Sequence, residues 1–147
     1  MSDQFKITLA QLNATVGDLN GNAEKVMKAW EKARDDRSNL IAFPELFITG
    51  YNPQDLILKP AFQKASADTI NKIAEACSRG PAIAVGGPFC DQESLYNAYY
   101  ILFEGKIQAI IKKHHLPNEE VFDEVRLFSS GNVDGPFQVD QMRIGSP

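Results

Sequence analysis

The spacing of apolar residues changes several times along this 147-residue chain, and that alternation most limits its fold. Phe5, Ile7 and Leu9 repeat at every second position, the spacing of a strand with one buried face. From Ala23 to Ala33 the apolar residues instead lie three or four positions apart, on one side of a helix. A strand followed by a helix is the first unit of an α/β fold.

The alternation continues after the first helix. Residues 39–43, "NLIAF", form an unbroken apolar run that stops at Pro44, which is typical of a strand buried on both faces. A loop over 48–60 leads to a second predicted helix. The inner face of that helix carries Phe62, Ile70, Ile73, Ala74 and Cys77.

The second half of the chain favours strands. Residues 82–89, "AIAVGGPF", predict a buried strand, and residues 94–113 predict two strands joined by a tight turn at Glu104-Gly105. A further short pair is predicted over 136–145. Because the early strands alternate with helices and the later strands pair as hairpins, we predict an α/β layered fold with a mixed sheet.

Composition narrows the classes of function. With 44% hydrophobic and 23% charged residues, the chain has the make-up of one soluble globular domain. A net charge of −4 argues against a nucleic-acid partner. No apolar run approaches the roughly 18 residues that span a bilayer, so we expect no membrane partner. The N-terminus lacks a basic leader with an apolar core, so we expect a cytoplasmic protein.

Two ionisable residues stand at predicted strand ends. Lys113 continues the row formed by Ile107, Ala109 and Ile111, so its side chain points to the inner face of the strand. An ammonium at the rim of an apolar face needs a carboxylate, and Glu45, which follows the apolar run 40–43, is the natural partner. Buried ion pairs are found both as structural links and as catalytic pairs, and the pattern alone does not choose between them.

Three stretches carry a resemblance to a known family. They are "LAQLNATVGDLNGN" at 9–22, "FPELFITGYNPQDLILKP" at 43–60 and "LYNAYYILFEGKIQAIIKKHHLPNEEVFDEVRLFSSG" at 95–131. Together they resemble the nitrilase, or carbon–nitrogen hydrolase, superfamily, and within it the N-terminal glutaminase domains of glutamine-dependent NAD synthetases. The resemblance implies that residues 1–147 are the N-terminal portion of a glutamine amidase domain with the αββα sandwich fold.

The resemblance also implies roles for individual residues. Enzymes of this kind use a glutamate, a lysine and a cysteine, and Glu45 and Lys113 match the first two. Glu45 would act as general base toward the thiol, and Lys113 would stabilise the oxyanion formed on the glutamine amide. Tyr51 and Glu124 match supporting positions near the site, and Phe122 matches an aromatic residue that helps to enclose glutamine.

Two departures from the family pattern affect this interpretation. Glu119 and Glu120 stand where the family commonly has Tyr-Gly, so recognition of glutamine is expected to differ or the amide to be another one. The nucleophilic cysteine of the family follows a strand equivalent to residues 142–145, and no cysteine is reached there. We therefore expect a partial αββα sandwich that is inactive alone, and its exposed sheet surface should cause self-association or low stability. We also expect the protein to form a homo-oligomer.

The resemblance places other ligands outside this chain. ATP and Mg²⁺ are expected to bind a separate synthetase domain, which amidates deamido-NAD with the ammonia released from glutamine. Within residues 1–147 we expect no cofactor. Gly86-Gly87 lacks a P-loop lysine, so it predicts close backbone packing rather than a phosphate cradle.

The cysteines and histidines of the chain are weaker candidates. Cys77 lies on the apolar side of its helix and is expected to be inert packing. Cys90 precedes Lys113 in the chain, whereas the family nucleophile follows the lysine. His114 and His115 point to opposite faces of an extended segment, so we predict no metal site, and we expect His115 to be packed or hydrogen-bonded in the core.

Two classes of function stay open at this point. In one, the chain is part of an amidase that supplies ammonia to a synthetase; a variant of this hypothesis is an amidase for a different amide. In the other, it is a noncatalytic interaction module with a nitrilase-like fold. An apolar strand leading into Cys-Glu beyond Pro147 would favour the enzyme.

Overall fold

The computed structural model of the chain describes residues 4–120 and 122–132. Within them, five strands form one sheet in chain order. The strands are β1 (Ile7–Leu9), β2 (Leu40–Ala42), β3 (Ala82–Asp91), β4 (Ser94–Phe103) and β5 (Lys106–Lys112). Strands β1, β2 and β3 are parallel, whereas β4 is antiparallel to both β3 and β5. The predicted mixed α/β sheet is therefore confirmed.

Two long helices cover one face of this sheet. Helix α1 (Leu19–Asp35) begins at Asp18, whose carboxylate accepts a hydrogen bond from the N–H of Gly21 at 2.9 Å. Helix α2 (Pro60–Ala76) begins with proline, which has no N–H to leave unpaired in the first turn. Both helices contribute to the main core with the inward-facing residues of β2, β3 and β4. These include Val26, Trp30, Ile41, Ile70, Ile73, Ile83, Val85 and Leu102.

The other face of the sheet is less covered. Leu9 is 76% exposed and Ile7 is 49% exposed, and the residues paired with them on β2, Ala42 and Leu40, are half-buried. The prediction that the strand at 39–43 is buried on both faces is therefore wrong, because α1 and α2 cover only the face on which Ile41 lies. No helix within the described ranges is both long and apolar enough to cross a membrane.

The predicted hairpin is confirmed, and its turn explains how β5 is placed. Glu104 and Gly105 both have positive φ angles, 51° and 80°, as a two-residue type I′ turn requires. The predicted loop at 48–60 contains a short 3₁₀ helix, Gln54–Leu58, and a one-turn helix, α3 (Glu124–Leu127), follows β5. The strand pair predicted over 136–145 lies outside the described residues.

Candidate active site

The carboxyl ends of two strands bring Glu45 and Lys113 together. Strands β2 and β5 run in the same direction, so the residues that follow them lie at one edge of the sheet. There the Lys113 Nζ donates a hydrogen bond to Glu45 Oε1 at 2.6 Å. The structure therefore brings together the two ionisable residues that the sequence singled out, although they are 68 positions apart.

A second carboxylate shares the same ammonium. Lys113 Nζ lies 3.1 Å from both carboxylate oxygens of Glu124, the first residue of α3. The Glu124 side chain is only 3% exposed, whereas that of Glu45 is 45% exposed. The expectation that Glu45 is the buried acid is thus wrong. The chain turns after Phe43, so that Pro44 and Glu45 are exposed, whereas Leu46 is buried and has a positive φ of 50°.

The two acids keep Lys113 charged. Partial burial acts to lower the pKa of its ammonium, but the hydrogen bonds and negative charges of Glu45 and Glu124 outweigh burial and raise the pKa above 10.5. Lys113 is therefore a fixed positive charge at neutral pH.

Tyr51 and Phe122 form one side of the site. The Tyr51 hydroxyl donates to Glu124 Oε1 at 3.3 Å, and the Tyr51 and Phe122 rings lie 6.4 Å apart at a tilt of 45°. Burial, together with the charges of Glu124 and Glu45, raises the pKa of Tyr51, so its hydroxyl stays protonated and able to donate. Both rings remain about 40% exposed, which leaves aromatic surface open beside the acids.

Asn97 is a residue of the site that sequence reasoning missed. Its Nδ2 donates to Glu45 Oε1 at 2.5 Å and to Glu124 Oε2 at 3.3 Å, and its backbone carbonyl accepts from the Lys113 N–H at 2.8 Å. The residue is 2% exposed. An asparagine inside the apolar strand segment "LYNAYYILF" was the available signal, because a buried polar side chain needs partners.

A small cavity opens onto these groups. It has a volume of about 200 Å³ and is lined by Glu45, Asn97, Ala98, Tyr99, Ile111 and Lys113. The Tyr99 hydroxyl donates to the carbonyl of Phe43 at 2.6 Å, which ties the cavity floor to the end of β2. Since a water molecule takes about 30 Å³ of liquid volume, a carboxamide group fits inside.

Gly86 sets how closely β3 approaches the loop that carries Glu45. A Cβ atom at this position would lie 2.2 Å from the backbone nitrogen of Leu46 and 2.8 Å from Glu45 Cα. The prediction of close backbone packing is therefore confirmed at Gly86, whereas Gly87 faces the side chains of Ile70, Tyr100 and Ile48. Only a residue without a side chain lets the glutamate loop lie directly on the strand.

The two cysteines lie away from the cluster. Cys77 is buried at the end of α2, where burial raises the pKa of its thiol to about 11. Cys90 is exposed near the end of β3, and neither thiol lines the cavity beside Glu45 and Lys113. No group of three or more histidine, cysteine or acidic side chains within residues 4–120 and 122–132 is arranged to hold a metal ion.

The histidines differ from expectation, because their rings lie 4.7 Å apart and do not point to opposite faces. His115 is exposed, so the prediction that it packs in the core is wrong. The half-buried residue is His114, whose Nδ1 lies 2.6 Å from the carbonyl oxygen of Gly131. Because a carbonyl oxygen only accepts, this nitrogen carries the proton. The contact links the end of β5 to the segment after α3.

The sheet and its glutamate–lysine edge define the class of protein. The sequence profile of the carbon–nitrogen hydrolase family matches residues 6–146, nearly the whole chain. The chain belongs to that family.

Several similar proteins within the family share one name. The chain is 47% identical over its full length to a glutamine-dependent NAD(+) synthetase of Rhodobacter capsulatus, of which it covers 27%. It is 44% identical over 95% of its length to the Aquifex aeolicus protein of the same name, covering 24% of it. A crystal structure of a glutamine-dependent NAD(+) synthetase from Cytophaga hutchinsonii matches 89% of the chain with a TM-score of 0.84 and 27% identity, over 22% of its own length. The chain thus spans about a quarter of the length of these relatives.

Proposed function

We propose that this chain forms part of the glutamine-hydrolysing site of a glutamine-dependent NAD synthetase. The observation that carries the proposal is the Lys113 ammonium held between Glu45 and Glu124, at the edge of a sheet whose nearest described cavity fits a carboxamide. The identity of 47% to the Rhodobacter capsulatus synthetase supports the substrate assignment.

The two acids are suited to different roles. Glu45 lines the cavity and is nearly half exposed, so a thiol, the leaving ammonia or water can reach its carboxylate. Glu124 is almost fully buried and is already bonded to Lys113, Tyr51 and Asn97. Glu45 is therefore the general acid–base, whereas Glu124 holds the lysine and the tyrosine in place.

Lys113 supplies the positive charge that amide hydrolysis requires. A thiolate attacks the glutamine carboxamide carbon after Glu45 takes the thiol proton, and negative charge develops on the carbonyl oxygen. A lysine already charged at neutral pH stabilises that oxygen without a proton transfer of its own. Glu45 then gives the proton to the leaving ammonia, and it later removes a proton from the water that releases glutamate.

The remaining components lie outside the described residues in this proposal. The nucleophile is the cysteine that the family pattern places after residues 142–145. ATP and Mg²⁺ bind a synthetase domain that amidates deamido-NAD. Residues 4–120 and 122–132 do not fit these ligands, because they hold no metal-binding group of side chains and Gly86 is pressed against backbone rather than open to a phosphate. We also propose that the full-length enzyme is cytoplasmic and homo-oligomeric.

The test uses the full-length protein and two nitrogen sources. Glu45→Gln and Lys113→Met should each lower glutamine-dependent NAD formation by about 10²- to 10⁴-fold, the usual contribution of a general base or an oxyanion donor. Both variants should keep NAD formation from added ammonium salts, which shows that the rest of the enzyme is folded.

Other outcomes would contradict the proposal in different ways. Glutamine-dependent activity that survives both substitutions would remove the pair from the chemistry. A wild-type protein that uses ammonia but releases none from glutamine would favour a noncatalytic module. If the protein released ammonia from another amide in preference to glutamine, the presence of Glu119 and Glu120 in place of the usual Tyr-Gly would be linked to a different substrate specificity.

A further inference from the structure

We infer that Asn97 is a positioning residue that holds Glu45 and Glu124 in fixed places around Lys113; this inference rests on the proposed function. Asn97 is bonded to all three charged residues of the site. Its side-chain amide reaches the two acids, and its backbone carbonyl accepts from the N–H of Lys113. It is also 2% exposed, so water does not substitute for these bonds.

The chemistry of the partners sets the orientation of the amide. Both contacts are with carboxylate oxygens, which only accept hydrogen bonds when ionised, so the NH₂ end of Asn97 faces them. An asparagine NH₂ group has two hydrogens, one for each acid. An aspartate of the same shape would offer a third carboxylate in their place.

The acids need this second donor because one ammonium faces two carboxylates. Lys113 neutralises a single negative charge, while Glu45 and Glu124 together carry two. Tyr51, from the loop before the 3₁₀ helix, is the other titratable group that faces Glu124. Glu45 is nearly half exposed and accepts hydrogen bonds from Lys113 and Asn97. Without Asn97, Lys113 alone would compete with water for the Glu45 carboxylate.

A residue that acts this way should affect turnover more than binding of glutamine. In the full-length protein, Asn97→Ala should lower kcat for glutamine hydrolysis by about tenfold to a hundredfold, the range for losing a hydrogen bond to a charged group. KM should change by less than about threefold, since both hydrogens of the Asn97 amide are already bonded to Glu45 and Glu124 and neither is left to donate to a substrate.

Two further variants separate positioning from a structural role. Asn97→Asp should lower kcat at least as much as Asn97→Ala, since a third carboxylate would replace the N–H donors that face the two acids. Asn22→Ala is the matched control: Asn22 is fully buried and its amide bonds to the backbone of Thr15 and Ile48, so this change should lower the melting temperature and leave kcat for glutamine hydrolysis unchanged.

A second readout does not depend on glutamine hydrolysis. Competitive acetylation of Lys113 with acetic anhydride across pH, followed by mass spectrometry, reports how well its ammonium is held. In Asn97→Ala the midpoint for Lys113 should fall toward 10.5, while Asn22→Ala should leave it at the wild-type value.

The two readouts distinguish failure of this inference from failure of the proposed function. Unchanged acetylation of Lys113 in Asn97→Ala would overturn the positioning role, whether or not kcat falls. If the wild-type protein releases no ammonia from glutamine, the proposed function fails, and the acetylation of Lys113 still decides whether Asn97 organises the two acids.

Discussion

Replacing Gly86 by alanine tests whether the approach of β3 to the glutamate loop organises the site. The added Cβ would lie 2.2 Å from the Leu46 nitrogen and 2.8 Å from Glu45 Cα. Both are backbone atoms, which cannot rotate away as the end of a side chain can. The strand and the loop must therefore separate by about 1 Å to restore van der Waals contact.

The cost follows from that separation. Overpacking of this kind lowers stability by about 1–3 kcal/mol, and the gain from alanine over glycine in a strand, roughly 0.5–1 kcal/mol, only partly offsets it. A shift of about 1 Å in a catalytic group costs on the order of a hundredfold in rate. Because the clash falls at Glu45 and Leu46, we expect Gly86→Ala to reduce glutamine hydrolysis by about that factor.

The neighbouring glycine is the control. In Gly87→Ala the new Cβ would lie 3.0 Å from Ile70 Cδ1, the end of a flexible side chain on the helix-covered side, so stability should change by less than about 1 kcal/mol. The assays are urea unfolding, glutamine-dependent ammonia release and NAD formation from added ammonium, on the full-length protein. Equal glutaminase rates in the two variants would refute the reasoning.

Three further predictions concern single residues. Glu120 has a φ of +56°, which is strained for a residue with a side chain, so Glu120→Gly should raise stability by about 1 kcal/mol in urea unfolding. Glu119→Gly should not raise stability, and equal effects of the two substitutions would contradict backbone strain as the cause. Cys90 should react readily with a thiol reagent, while Cys77, buried and with a pKa of about 11, should react only on unfolding. The pKa of Lys113 is raised in the folded protein. The contribution of its ammonium to stability should therefore be full below pH 10.5 and should be lost as the pH rises through the higher folded-state pKa. The difference in melting temperature between wild type and Lys113→Met should shrink only in that higher pH range.

Part of the site could be predicted because the signals are local. A lysine and a glutamate that each follow an apolar run must lie at strand ends. The prediction that Ile107, Ala109 and Ile111 form one inner row with Lys113 is wrong, because a bulge at Gln108 puts Ile107 on the helix-covered face and leaves Ala109 and Ile111 on the other face. Lys113 lies on that second face, beside Ile111. The burial of the acids could not be predicted in the same way. It depends on the turn at Leu46 and on the packing of α3, which places Glu124 and not Glu45 inside.

The order of strands and helices and the hairpin at Glu104-Gly105 are determined by the sequence itself, because apolar spacing and turn residues act over a few neighbouring positions. Tertiary structure decided that Asn97 joins Glu45, 52 positions away, to Glu124, 27 positions away. It also decided that α1 and α2 cover only one face of the sheet. Contacts between distant segments depend on how whole elements pack, and apolar spacing carries no record of that arrangement.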